Sequence, residues 1–375
     1  MVSHFSNLLN SDPISYPGKA SLATFVNKRL EPHHLECLDS EVSSEEVKNA
    51  LFSIPSNKSP GPDGFNAFFF KRVWHIIGEE FVEAIKYFFS SGRQLREVNS
   101  TIIALIPKVQ NPSILNDYRP ISCCTTIYKC ASKILANRLK NILPDLIDNA
   151  QSVFIRGQSI SNNILLTQEL LRNYHRKDTP ARSAIKVDIM KAFDSVRWEF
   201  LWDLLDCLEF PPRFIALIKA CVTTPKFSIN LNGELVGYFS SKRGLRQGDP
   251  LSPYLFTIVM DFLSMVLAKK TSEDQRFSFH WRCHNTKITH LCFADDLILF
   301  CDGSFQSASV LHEALSTFTA HSGLQPNRSK SSVFVAGDNE ELHNAICDLF
   351  GFIKGELPVK YLGVPLITTR LTSND

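Results

Sequence analysis

Three aspartates stand in apolar surroundings that ordinarily exclude them. Asp188 lies in the run 184–189, and Asp295 and Asp296 interrupt the apolar stretch 288–301. Burying carboxylates beside Val187, Ile189, Phe293 and Leu297 costs several kcal/mol unless something compensates. A divalent cation is the compensation with suitable chemistry, because hard ions such as Mg²⁺ take carboxylate oxygens together with substrate phosphates. Two such ions about 4 Å apart can serve both the attacking and the leaving oxygen of an in-line displacement. Neighbouring residues of a regular strand face opposite ways, so Asp295 and Asp296 serve one site only if the chain turns there. A lone Asp-Asp pair is also good turn chemistry. The third aspartate, on a separate apolar strand, moves the reading toward a metal-dependent site.

The rest of the chain reads as alternating helices and strands. The first forty residues mix Ser, Pro and Asn with few periodic apolar positions, so residues 1–43 are expected to be a linker or extension. Ser43 or Ser44 starts an amphipathic helix carrying Val47 and Leu51, and the run 57–64 (NKSPGPDG) breaks it. That run is either a plain connector or a loop shaped to hold a ligand backbone. Phe70, Trp74, Ile77, Phe81, Ile85 and Phe88 recur at helical spacing over 67–89 as core. A β-branched strand follows at 101–107, then a helix over 128–146 with Lys129, Lys133, Arg138 and Lys140 on its polar side. The strand 184–189 leads past Asp194, expected to cap a helix that buries Phe200, Leu201, Leu204, Leu205 and Leu208. Ser252 and Pro253 suit the start of an apolar helix over 255–267. Two alternating strands over 288–301 form a hairpin with an acidic tip, before a helix over 308–318. The expected class is α+β, a sheet layered with helices.

Two further features bear on chemistry. In the run 244–253 (GLRQGDPLSP) two glycines bracket polar side chains just before a buried helix, and glycine lets backbone approach a ligand closely. No Gly-Lys-Ser/Thr follows, and neither GxGxxG nor HExxH occurs. Phe193, five residues beyond Asp188, is either core or a wall against a substrate sugar.

A net charge of +2 does not by itself nominate a nucleic-acid partner. Locally, residues 1–50 hold four basic and seven acidic residues, whereas 101–160 hold seven basic and three acidic, which makes the second segment the better phosphate binder. The ten cysteines form no CxxC pair and read as buried thiols of a reducing compartment. His280, Cys283, His284 and His290 match no zinc spacing and read as ordinary packing. No secretory signal is visible, and no apolar stretch is expected to approach the roughly 20 residues that span a bilayer. A soluble, intracellular protein is expected.

In their order these segments resemble the motif series of reverse transcriptases, in a spelling similar to the non-LTR (LINE-type) retrotransposons abundant in plants. The run 184–197 resembles the motif bearing the first catalytic aspartate, 244–253 the one that meets the new base pair and template, and 293–296 (FADD) the family's acidic turn. The run 59–64 (SPGPDG) is similar to the loop leading into the domain in this lineage, and 106–108 with 117–122 resembles the segments that grip the triphosphate. The run 323–331 resembles the motif whose lysine donates a proton, and 360–364 the primer grip.

The resemblance implies fingers (44–182) and a palm (183–375) built on a ferredoxin-like antiparallel sheet, with a reverse transcriptase core at about 101–367. It implies Asp188 and Asp295 as ligands of two Mg²⁺ ions, Mn²⁺ being the alternative, with Asp296 beside them and Lys330 as catalytic proton donor. Lys108 and Arg119 would hold the dNTP phosphates, an arginine being able to fork onto phosphate oxygens. Phe193 would discriminate against a 2′-hydroxyl, and Gln247 and Gly248 would lie against the nascent pair. The implied partners are an RNA template, a DNA primer and dNTPs, with no membrane, and the implied address is the nucleus. No stretch resembles the family's endonuclease, thumb, Cys/His knuckle or ribonuclease H region, so a chain without a thumb is expected. A non-catalytic remnant or RNA-binding module is the competing reading. A two-metal nuclease would explain the carboxylates but none of the other motifs.

Overall fold

The computed structural model describes residues 1–366 apart from 11–14, 152, 153, 156, 158, 175, 177–179 and 338. The last expected core residue, 367, lies outside them. The strands, in chain order, are β1 (Ser100–Pro107), β2 (Tyr118–Cys124), β3 (Ser183–Asp188), β4 (Lys226–Leu231), β5 (Glu234–Phe239), β6 (His290–Phe293), β7 (Asp296–Cys301), β8 (Ser332–Val335), β9 (Ile353–Lys354), β10 (Val359–Tyr361) and β11 (Val364–Leu366). With helices interleaved among several sheets, the class is mixed α+β. The chain divides into two compact units: residues 1–13, 28–146 and 193–256 form the first, and 14–27, 147–192 and 257–375 the second.

The first unit centres on the helix Thr126–Leu146, in which Tyr128, Ile134, Leu135, Leu139 and Leu143 are fully buried. Against it packs the helix Ser44–Ser53, whose N-cap Ser43 accepts the Glu46 N–H while Glu45 and Glu46 complement the helix dipole. The helix expected over 67–89 is two, Ala67–Arg72 and Trp74–Ser91. Breaking at Val73 lets Phe70 and Trp74 both meet Phe81, with ring centroids 5.4 and 5.8 Å apart. The unit's sheet runs β2-β1-β4-β5, with β1 and β4 parallel and the other pairs antiparallel. The helix Val2–Asn10 covers part of one face, bringing Phe5 and Leu9 onto Ile103, Phe227 and Ile229.

Three expectations need correction. Residues 1–43 hold the helices Val2–Asn10, Lys19–Ala23 and Pro32–Asp39, short segments that nonetheless anchor by burying Phe5, Leu22 and Leu38. The expected polar side of the 128–146 helix is partly interior. Lys129 is buried with its Nζ on the Ser59 carbonyl at 2.6 Å, and Arg138 is buried with its guanidinium forked onto Glu46. Arg138 also donates to the carbonyls of Leu38 and Ser40. Periodicity registers a charge but not the carbonyl waiting for it. Finally, the helix Ser252–Glu273 is long and apolar enough to cross a bilayer by length and composition, against the expectation of no such stretch. Since 78% of its apolar window is buried, it fits a core helix. Ser252 opens it, yet the N-terminal acceptor is Asp249, which takes the Leu251 N–H and the Ser252 hydroxyl.

The second unit is built on the sheet β6-β7-β3-β8-β9, antiparallel except for β8 and β9. Its hairpin strand β7 does not alternate: after Asp296 every residue is buried, because the strand is central and both faces are covered. One face changes character along its length. Ala184, Ile298, Phe300, Leu291 and Phe334 pack with Leu170 and Leu171 of the helix Ile160–Leu171 and with Tyr361 and Leu366, whereas Asp188 and Asp296 occupy the same face at the far end.

None of the ten cysteines is in a disulfide, and seven of them are buried. His280 packs in this core beside Tyr174 and Phe300, with Nδ1 accepting the Arg282 N–H. His290 instead meets Ser264 and Thr289, so the two histidines serve packing separately. Burial, and next the Arg182 cation, pull the His280 imidazole from its ordinary 6.5 down to about 4. The unfolded chain takes this proton near pH 6.5 and the folded chain only near 4, so stability falls as pH drops through that window, by up to about 3 kcal/mol. Urea midpoints at pH 7 and pH 5 should show the loss, and His280→Phe should reduce it.

Candidate active site

The carboxylates are brought together by register. Asp188 ends β3 directly opposite Asp296, which begins β7. Phe293 on β6 is the other cross-strand neighbour of Asp296, so only Ala294 and Asp295 form the hairpin loop. Ala294 takes φ 56°, a left-handed conformation costing an alanine about 1–2 kcal/mol. Such strain is kept where the turn has work to do. Asp295 at the tip is exposed, and Asp188 and Asp296 are half-buried. Burial, then the charge of Asp295, and more weakly that of Asp188, raise the Asp296 carboxyl above its ordinary range, while Lys186 on β3 opposes them.

Asp188 is fixed by the chain that follows the helix Phe305–Ser322. The Asp188 N–H donates to Ser331 Oγ at 3.0 Å, its carbonyl accepts the Asn327 N–H at 2.7 Å, and the Met190 N–H donates to the Gln325 carbonyl at 2.9 Å. Lys330 is exposed on this same turn, its N–H closing onto the Asn327 carbonyl. Sequence reasoning singled out Lys330 and missed Ser331, Asn327 and Lys186. The serine's position at the end of the quoted motif, just before a strand, was the available signal.

The remaining residues belong to the first unit. Arg119 on β2 pairs with Ile106 on β1, and Lys108, two residues after Ile106, falls on the same side; all three are exposed. The Lys108 Nζ donates to the Asn116 carbonyl at 3.0 Å, and Asp117 closes the connecting loop by accepting the N–H groups of Ser113 and Ile114. Gln247 is half-buried and Gly248 exposed, and the Gln247 carbonyl takes the Ser122 N–H at 2.7 Å. Phe193 stacks on Phe256, with centroids 4.6 Å apart, and its carbonyl takes the Leu245 N–H. Asp194 is not the N-cap of the helix Trp198–Cys207; that position is Arg197, whose side chain makes no capping bond. Its backbone lies against Gly244, where a Cβ would come 2.8 Å from the Asp194 carbonyl oxygen.

The donor set fits a hard divalent cation. It holds three carboxylates, no cysteine and no histidine, and the mutual repulsion felt by Asp296 is what added positive charge relieves. Among the described residues the three do not gather as closely as His33, His34 and Asp145, whose ligand atoms lie within 4.8 Å of one another. Carboxylates sharing two ions need not crowd one coordination shell. The histidine group has other work: His34 Nδ1 accepts the Glu31 N–H in a helix cap and Nε2 meets Asp145 at 3.1 Å.

Residues 106–366 match the family model described as Reverse transcriptase (RNA-dependent DNA polymerase). The chain is 28% identical over 97% of its length to the transposon TX1 uncharacterized 149 kDa protein of Xenopus laevis. It is 27% identical over 80% of its length to the Pol polyprotein of the type-2 retrotransposable element R2DM, and 26% over 64% to the RNA-directed DNA polymerase from mobile element jockey, both of Drosophila melanogaster. These alignments span about a quarter of each relative: 27%, 27% and 26%. Divalent metal ions are the general requirement of such enzymes, in keeping with the carboxylates. The chain belongs to the reverse transcriptase (RNA-dependent DNA polymerase) family, of the non-LTR retrotransposon type.

Proposed function

We propose that this chain is the polymerase core of a LINE-type element, transferring nucleotides from dNTPs to the 3′-hydroxyl of a DNA primer on an RNA template. The observation that carries the reading is the cross-strand pair Asp188 and Asp296 with Asp295 on the adjoining turn. In this reading the second unit's sheet is the palm, and β1 and β2 of the first unit's sheet belong to the fingers.

Asp188 and Asp295 hold two Mg²⁺ ions, or Mn²⁺ in their place, with Asp296 beside them. Bound there, the ions supply Lewis acidity and neutralise phosphate charge. Lys108 and Arg119 neutralise the triphosphate from one exposed strand face. Phe193, braced by Phe256, excludes a 2′-hydroxyl, and Gln247 and Gly248 meet the nascent pair. Lys330 gives its proton to the departing pyrophosphate. Ser331 contributes by orienting Asp188, so Ser331→Ala is expected to slow incorporation by about tenfold, the usual cost of losing a partner behind a metal ligand. Single-turnover kinetics would measure it.

The reading is tested by primer extension on an RNA template with dNTPs and Mg²⁺. Wild-type protein should add at least the first nucleotide and Asp295→Ala should not. Absence of any incorporation by the wild type, with Mg²⁺ or Mn²⁺, would overturn it.

A further inference from the structure

The run 244–253 turns its central residues to opposite purposes. Gln247 and Gly248 reach the surface, but flanking Arg246 and Asp249 are buried at 7% and 3% exposure. The Arg246 Nη1 donates to Asn99 Oδ1 at 2.7 Å and Thr101 Oγ1 at 3.0 Å, and its Nη2 to the Cys221 carbonyl at 2.8 Å. Its guanidinium lies 4.0 Å from the centre of the Tyr128 ring. The Tyr128 hydroxyl, fully buried, donates to Asp249 Oδ2 at 2.9 Å. One tyrosine therefore holds the cation with its ring and the carboxylate with its hydroxyl.

A buried cation and carboxylate are weak devices for stability, since apolar side chains of similar volume often do as well, but they can specify one arrangement among several. The arrangement here is narrow. Gly248 takes φ 107°, and a Cβ on it would come 3.0 Å from the Ser122 carbonyl oxygen. The Gln247 carbonyl accepts from Ser122 on β2, an edge strand of its sheet. A small rotation of the loop would break that bond or drive backbone into backbone.

We propose that Arg246, Tyr128 and Asp249 are positioning residues, which hold Gln247 and Gly248 against the edge of β2 and so set the affinity for the incoming nucleotide. The cationic Arg246 then acts from the interior and touches neither template nor nucleotide. The kinetic consequence rests on the polymerase reading; the positioning does not.

Tyr128→Phe tests both in the full chain, because it keeps the ring beneath Arg246 and deletes only the bond to Asp249. Hydrogen exchange at the Ser122 amide should quicken by about tenfold, the worth of a hydrogen bond to a charged group, with exchange in β3 and β7 unchanged. In primer extension KM for dNTP should rise by a similar factor while kcat changes less than about threefold. A merely structural role would lower the melting temperature without separating KM from kcat. If Tyr128→Phe does not fold, Thr101→Val, which removes one acceptor of Arg246, gives the same two readouts. Unchanged Ser122 exchange overturns the proposal, as does an unchanged KM in an active enzyme. Faster exchange in a protein that extends no primer supports the positioning and sinks the polymerase reading alone.

Discussion

Asp295→Asn is expected to lower nucleotide incorporation by about 10³-fold, the loss of roughly 4 kcal/mol of transition-state stabilisation, while leaving the fold intact. The substitution separates function from structure because Asp295 is exposed on a two-residue turn where asparagine is equally at home. Its charge also raises the carboxyl of Asp296, so neutralising it relieves repulsion and should leave the metal-free melting temperature unchanged or slightly higher. The sign of the pH dependence agrees: a carboxyl held above its ordinary range in the folded protein makes the metal-free fold gain stability as pH falls toward the unfolded value. Added Mg²⁺ should raise the wild-type melting temperature by mass action and raise that of Asp295→Asn less. A variant that keeps incorporation within tenfold of wild type would remove the basis of the proposed mechanism.

Arg138→Met should cost about 2–4 kcal/mol in a urea unfolding experiment, the penalty for taking a buried donor away from two carbonyls and a half-buried carboxylate. The guanidinium satisfies both oxygens of Glu46 and the carbonyls of Leu38 and Ser40. Its loss leaves three polar groups without their donor and weakens the hold of the helix Thr126–Leu146 on the helix Pro32–Asp39, leaving the His34–Asp145 contact as the remaining polar link described between them. The double variant Arg138→Met with Glu46→Met should recover part of the loss, since it also removes the stranded charge. A single-variant cost below 1 kcal/mol would mean that water replaces these bonds freely.

The four cations of that helix show what the letters could carry. Lys129, Lys133, Arg138 and Lys140 share a polar stripe by spacing, and spacing alone assigns them to water. Lys140 is exposed, whereas Lys129 and Arg138 meet carbonyls and a carboxylate contributed from about 70 to 100 residues away in sequence. No local pattern encodes such partners. The N-terminal helices escaped for a related reason: their anchoring residues Phe5, Leu22 and Leu38 make sense only against the surfaces they cover.

The letters alone determined the residue types and their order: three carboxylates in apolar runs, a glycine-bracketed polar loop, and a motif series specific enough to name a family. Each of these is carried by chemistry within about ten consecutive residues, where burial cost and turn geometry act locally. Only tertiary structure decided that Asp188 stands opposite Asp296, that Ser331 and Asn327 hold it there, and that Arg246 faces inward while Gln247 faces out. These are outcomes of strand register and long-range hydrogen bonding. A shift of one residue along β3 would turn Asp188 to the opposite face without altering a letter of the sequence.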